Sequence, residues 1–150
     1  MKTAWLLLAA TLVLGACNPW TTRYEPQGRP AAKATVRKAT RFLPTESGAL
    51  GKVGGRPLGA LEIEGTGMVV ERPEDLHQRA RTEGAQHGAT HYVQLDASLT
   101  DADIAAINEG FGLKLTSNDL VAGSRKALYL LVAVPREGWA RLPRELQPLP

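Results

Sequence analysis

The chain has 150 residues, of which 43% are hydrophobic and 22% are charged, and its formal net charge is +3. This length accommodates one domain, and the apolar content excludes a disordered chain. A single cysteine excludes an intrachain disulfide and a cysteine-based zinc cage, and three histidines offer little material for a multinuclear metal site.

The first sixteen residues have the features of a secretory signal. Met1-Lys2-Thr3 is a short, positively charged start, and residues 4–13 are apolar and uncharged. Ten residues in a helix reach about 15 Å, half the hydrocarbon thickness of a bilayer, so this run is too short to span a membrane. Small residues follow it directly, as they do before a cleavage site. The sequence therefore predicts a signal peptide over residues 1–16.

The signal ends in Leu14-Gly15-Ala16-Cys17, which resembles the lipobox of bacterial lipoproteins. The resemblance implies that a diacylglycerol is attached to the Cys17 sulfur before cleavage, and that Cys17 then carries three acyl chains, palmitate among them. Each buried methylene contributes about 0.8 kcal/mol, so two or more chains hold a protein stably on a membrane. An Asp after the cysteine commonly marks retention at the inner membrane of Gram-negative bacteria. Asn18 at this position favours the outer membrane if the organism is Gram-negative.

Residues 17–41 are predicted to form a lipid-anchored, flexible tether. The segment is rich in proline and basic residues and has almost no apolar periodicity, so it buries too little surface to offset its ordering entropy. Residues 23–56 hold eight basic and two acidic side chains, whereas the chain from residue 57 onward holds nine basic and thirteen acidic ones. The basic segment is interpreted either as a solvated linker or as a surface that lies against anionic headgroups.

The globular domain is predicted over residues 42–140 and includes a strand–helix–strand unit. Leu61-Glu62-Ile63-Glu64 alternates apolar and charged side chains, which is typical of a half-buried strand. Pro73-Glu74-Asp75 suits the first turn of a helix, because proline fits there and acids complement the positive end of the helix dipole. We expect this helix to end just before Gly88, as a left-handed cap, and residues 89–95 to form the next strand.

A second helix is predicted over residues 101–109, with a capping box formed by Thr100 and Asp103 and an end at Gly110. Leu113-Lys114-Leu115 is a candidate short strand.

Residues 127–134 are apolar without alternation, which predicts a central strand covered on both faces. Residues 141–150 are predicted to form a proline-rich tail. The elements together predict an α+β domain, with a small, mostly antiparallel sheet of three or four strands and one or two packed helices.

The joint Gly88-Ala89-Thr90-His91-Tyr92-Val93 resembles that of a broad set of small envelope lipoproteins. They include the sensor lipoprotein of the Rcs envelope-stress pathway and several domains of unknown function. The likeness covers residues 58–96 and 127–134 and implies a helix packed on a small sheet, with Gly-Ala allowing the tight turn. The Rcs sensor is stapled by cysteines, whereas Cys17 is the single cysteine of this chain, so no functional residue carries over.

The sequence contains no catalytic signature, neither His-Glu-x-x-His nor Gly-x-Ser-x-Gly nor a complete phosphate loop. A partial likeness to a phosphate loop occurs at Gly48-Ala49-Leu50-Gly51-Lys52-Val53. Its spacing is short, and Val53 replaces the needed Ser or Thr. We therefore expect a protein that is not an enzyme and that has no cofactor.

His87 and His91 flank the helix–strand joint and are weak candidates for metal ligands. Neutral imidazoles bind zinc, copper or nickel, and two of them at one joint could chelate an ion. However, His91 shares a strand face with Val93 and Leu95, which is typical of a histidine at the edge of the core.

The leading functional hypothesis is a non-enzymatic envelope module, anchored by Cys17 in the bilayer, that senses or contacts another envelope protein. The alternative is a periplasmic domain that binds a metal or small ligand through His87 and His91. No nucleic-acid partner is expected.

Overall fold

The computed structural model describes residues 20–28, 36–65, 73–122 and 126–149. Five strands form one open sheet with helices on both faces, so the predicted α+β class is confirmed, with one strand more than the largest sheet predicted. The strands are β1 (Trp20–Pro26), β2 (Thr40–Arg41), β3 (Arg56–Gly65), β4 (His91–Gln94) and β5 (Lys126–Ala133). The helices are α1 (Ser47–Lys52), α2 (Pro73–Gln86) and α3 (Asp101–Phe111), and short 3-10 turns lie at Pro44–Glu46, Ser117–Asp119, Arg136–Arg141 and Arg144–Leu146.

The strands lie in the order β1-β3-β5-β4-β2. Every neighbouring pair is antiparallel except β4 and β2, which are parallel. The most apolar run of the domain therefore occupies the centre of the sheet as β5, as the sequence predicts. None of the described helices is long and apolar enough to cross a membrane.

Strand β5 lacks alternation because both of its faces are covered. One face packs under α2, and the opposite face packs under α1, α3 and the C-terminal segment. The core residues on the α2 side include Leu58, Leu61, Ile63, Leu76, Ala80, Tyr92, Tyr129 and Leu131. Those on the opposite side include Phe42, Leu50, Val93, Leu95, Ile107, Leu130, Val132, Leu142 and Leu146.

Helix α2 begins and ends where the sequence predicts. Its first turn holds Glu74 and Asp75, and it is followed by Gly88 with φ +90°, a left-handed conformation that a side chain would strain. Gly84 is also closely packed, because a methyl group there would lie 3.1 Å from the Leu131 side chain.

Helix α3 has the predicted capping box but extends further than predicted. Thr100 Oγ1 accepts a hydrogen bond from the Asp103 N–H at 3.2 Å, and the Asp103 carboxylate accepts one from the Thr100 N–H at 2.9 Å. Gly110 does not end the helix, which instead ends at Gly112 with φ +65°. Gly110 serves close packing, because a methyl group there would lie 2.6–2.8 Å from atoms of Ser47 in α1.

The prediction of a short strand at Leu113-Lys114-Leu115 is wrong. The backbone N–H and carbonyl of Leu115 bond to the side-chain amide of Asn108, at 2.8 and 2.9 Å. These bonds fold the segment back on α3, so its backbone is satisfied without a partner strand.

The predicted tether is structured at both of its described ends. Trp20–Pro26 pairs along its whole length with β3, from Trp20 opposite Gly65 to Pro26 opposite Gly59. Val36 and Ala39 are buried, and Thr40–Arg41 pairs with β4. An edge strand is held largely by backbone hydrogen bonds, which need no apolar periodicity, so the tether prediction is wrong for these residues. Residues 1–19 and 29–35, with the signal peptide and Cys17, lie outside the described part.

The C-terminal boundary also differs from the prediction. Leu142 and Leu146, within the predicted tail, are buried in the core opposite α2. The segment has no regular periodicity because two 3-10 turns form it. Leu142 comes directly after the first turn, and Leu146 ends the second. The folded domain therefore continues past residue 140 to the end of the described chain.

Candidate functional site

The first candidate ligand, His91, is buried in the core, and both of its ring nitrogens are within hydrogen-bond distance of protein atoms. Its side chain is fully buried, with Nδ1 2.8 Å from Thr90 Oγ1 and Nε2 2.7 Å from the Leu146 carbonyl oxygen. A carbonyl oxygen only accepts, so we assign the proton to Nε2. Burial lowers the pKa of His91, while the bond to Leu146 partly raises it, so the ring is neutral at pH 7.

The neutral ring completes a chain of hydrogen bonds through Thr90. Nδ1 accepts from the Thr90 hydroxyl, which in turn accepts from the backbone N–H of Val134 at 2.9 Å. Both nitrogens of His91 are therefore occupied inside the protein, and neither is available to a metal ion in this arrangement.

His87, the second candidate ligand, lies on the other face of the sheet. It is exposed and stacks on Tyr24, with ring centroids 3.9 Å apart. Tyr24 packs against the core on the α2 side, whereas His91 contacts Phe42 and Leu146 on the opposite side. The structure does not bring the two imidazoles together, and within its described residues it has no cluster of three metal-ligating side chains.

The structure contains a different candidate site, a cleft of about 470 Å³ beside strand β2. One wall is helix α2, which contributes His77 and Arg81. The strands β2 and β4 contribute Arg41 and Tyr92, and the C-terminal 3-10 turn contributes Arg144. The volume lies in the range of small-molecule sites.

The aromatic side chains His77 and Tyr92 line this cleft, and their rings lie near that of the fully buried Tyr129. The His77 ring lies 6.2 Å from the ring of Tyr92 and 5.8 Å from that of Tyr129, and the two tyrosine rings are 5.7 Å apart. Among the described residues, the buried atoms His77 Nδ1 and Tyr129 Oη have no hydrogen-bond partner. Buried polar atoms are usually paired, so these two are exceptions. Of the two residues, His77 lines the cleft, whereas Tyr129 is fully buried.

Basic side chains act on the aromatic groups of the cleft. Burial is the main cause that lowers the pKa of His77; Arg41 lowers it further, and Glu74 opposes both. Burial raises the pKa of Tyr92 and of Tyr129, and Arg41 lowers both. The charge of Arg41 therefore acts on all three aromatic side chains.

Sequence reasoning missed this cleft because its residues come from four distant segments. The signal that it left was indirect: His77 lies on α2 beside apolar positions, and arginines are scattered through the chain. Only the parallel pairing of β2 with β4 and the return of the C-terminal segment place them together.

Comparison with known proteins gives no relative from which a role could be transferred. No family model, curated protein or solved structure matches the chain.

Proposed function

We propose that this protein is a lipid-anchored lipoprotein of the bacterial envelope whose folded domain is held directly at the membrane surface as a non-enzymatic binding or sensing module. The proposal rests on the lipobox and on one structural observation. Strand β1 begins at Trp20, three residues after Cys17. Consecutive Cα atoms are 3.8 Å apart, so the Cα atoms of Cys17 and Trp20 are separated by at most about 11 Å.

This short connection changes how the anchor acts. A flexible tether of 25 residues would give the domain reach, whereas an acylated Cys17 beside β1 keeps the sheet close to the headgroups. Such a domain meets ligands and partners at the bilayer surface. Asn18 favours the outer membrane as the location if the organism is Gram-negative.

A binding role is supported by the cleft beside β2. Its charged side chains come from β2, α2 and the C-terminal turn, so only the complete fold assembles them. Within the described chain, His87 and His91 lie on opposite faces of the sheet, so their positions do not favour the alternative metal site.

The intact mass of the full-length gene product, extracted from membranes with detergent, tests the anchor. We expect the mass of residues 17–150 plus a diacylglycerol and one further acyl chain. The variant Cys17→Ser should keep residues 1–16 and carry no lipid. A wild-type product with a free Cys17 thiol would contradict the proposal.

Cross-linking in intact cells tests the binding role. One dominant protein adduct identifies an envelope partner, in agreement with an interaction module. Acylated protein without any adduct would contradict a protein partner and favour a small ligand.

A further inference from the structure

This inference rests on the binding role proposed for the cleft beside β2 and concerns the three arginines that line that cleft. Arg41 is on β2, Arg81 is on α2 and Arg144 is on the last 3-10 turn. Like charges repel, so a fold that gathers three guanidinium groups around one cavity gains from an anion placed between them.

Two of these arginines are available to a ligand. Arg41 and Arg144 are exposed, and their guanidinium groups form no ion pair or hydrogen bond with any residue that the structure describes. Arg81 is positioned by a hydrogen bond from Nε to the Ala39 carbonyl oxygen at 3.3 Å, which leaves its terminal nitrogens to face other groups. Arg81 is thus oriented by the fold, and the exposed Arg41 and Arg144 are the other two basic groups of the cleft.

The neutral groups of the cleft lie beside the arginines and suit the part of a ligand next to its anionic group. His77 is neutral and retains one N–H donor, and Tyr92 retains its hydroxyl proton, since burial raises its pKa. His77, which lines the cleft, has no hydrogen-bond partner for Nδ1 within the described chain.

We propose that this cleft binds a phosphate ester, with the phosphate among Arg41, Arg81 and Arg144. A carboxylate is satisfied by one bidentate arginine, whereas a phosphate presents more acceptor oxygens and more charge, and matches guanidinium groups from several directions. The aromatic side of the cleft, formed by His77 and Tyr92, then contacts the organic part of the ligand.

The acidic residues of the cleft narrow the ligand further. Glu74 and Glu145 also line it, and they would repel a ligand that is anionic along its whole length. The organic part attached to the phosphate is therefore neutral or cationic. A phospholipid headgroup and a soluble phosphate ester, such as phosphoethanolamine, share this chemistry.

The test uses the full-length gene product in an uncharged maltoside detergent, with arginine labelled by ¹⁵N. The Nε–Hε signals are followed during titration with inorganic phosphate, phosphoethanolamine and a short-chain phosphatidylethanolamine, at constant ionic strength against chloride. Acetate is the carboxylate comparison. The titration does not depend on the state of Cys17. The phosphate site can therefore fail this test while the lipid anchor is confirmed by mass, and the anchor can fail while the phosphate site is confirmed.

The cleft variants are Arg41→Gln, Arg144→Gln and the double variant. The matched control is Arg141→Gln, which removes the same charge from an exposed residue that does not line the cleft. Hydrogen bonds to charged groups are strong enough that each cleft substitution should weaken binding about tenfold, whereas the control should change it less than about twofold.

The ligand titrations separate the possible sources. Binding of the soluble esters that is lost in the cleft variants supports a soluble ligand, and binding of the short-chain lipid alone supports a headgroup. The proposal is overturned if no phosphate compound shifts the cleft arginines. It is also overturned if acetate binds equally well, or if Arg141→Gln weakens binding as much as Arg41→Gln does.

Discussion

The Nε2–H of His91 donates a hydrogen bond of 2.7 Å to the carbonyl oxygen of Leu146, a residue 55 positions later in the chain. This bond joins the start of strand β4 to the last described turn. The C-terminal segment that it holds also supplies Arg144 to the cleft, so a buried structural histidine contributes indirectly to the proposed site.

Replacement of His91 should destabilise the domain. His91→Ala leaves a cavity in the core and removes the partner of Thr90 and Leu146, and we expect a loss of about 2–4 kcal/mol in the free energy of unfolding. Chemical denaturation measures the loss. The control is His87→Ala, at an exposed histidine, which should cost less than about 1 kcal/mol. Equal effects of the two substitutions would contradict the role assigned to His91.

Stability should fall as the pH is lowered from about 7 to 5. The pKa of His91 is lowered in the folded state by burial, so the unfolded chain binds more protons in this range. The stabilising contribution is therefore complete above the unfolded pKa of about 6.5 and is lost as the pH falls towards the folded pKa, with a slope of at most about 1.4 kcal/mol per pH unit.

Denaturant midpoints at pH 7.5, 6 and 5 test this dependence. His77 also has a lowered pKa and contributes in the same direction, so the matched variants are His91→Gln and His91→Gln with His77→Gln. Each should flatten the profile in turn. A wild-type profile that is level, or that rises towards acid, would contradict the neutral assignment of His91.

Two helical glycines should respond in opposite directions to alanine. At Gly110 a methyl group would lie 2.6–2.8 Å from Ser47, whereas at Gly48 it meets nothing within 4 Å. We expect Gly110→Ala to destabilise by about 1–3 kcal/mol through overpacking. Gly48→Ala should stabilise by about 0.5–1 kcal/mol, because alanine has the higher helix propensity. Thermal unfolding measures both, and a Gly110→Ala variant as stable as the wild type or more stable would show that α1 and α3 do not meet there.

The C-terminal leucines provide a third pair. Leu146 is 3% exposed and Leu149 is 76% exposed. Leu146→Ala should cost about 2–4 kcal/mol in unfolding free energy, whereas Leu149→Ala should change it by less than about 0.5 kcal/mol. If both variants unfold like the wild type, the segment is a tail, as the sequence alone predicts.

The elements predicted correctly are those that local signals determine. The turn at Gly88, the acids at the start of α2 and the capping box of Thr100 act within a few residues, so they are visible in the sequence. The apolar run of β5 is long enough to identify a central strand without knowledge of its neighbours.

The elements that were missed depend on contacts distant in sequence. Strand β1 is ordered by backbone pairing with β3, about forty residues later, and Leu146 is ordered by His91. The cleft depends on both β2 pairing and this C-terminal contact, so the sequence pattern shows neither its position nor its charge. The interpretation of His91 as a histidine at the edge of the core, on one strand face with Val93 and Leu95, agrees with its burial, whereas its bonds to Thr90 and Leu146 depend on the fold.

The central claim, a domain held at the bilayer by Cys17 with only a few residues between, is tested most directly at β1. Cys17 is the single cysteine and is blocked when acylated, so Thr21→Cys or Gln27→Cys introduces one free thiol for a fluorophore. The fluorophore is quenched in vesicles with spin-labelled headgroups. Along the chain, Thr21 lies at most about 15 Å from Cys17, and Gln27 lies about 20 Å beyond Thr21. The account predicts strong quenching at residue 21, at least as strong as the quenching at residue 27. Weak and equal quenching at both positions would contradict it and indicate a long, flexible tether.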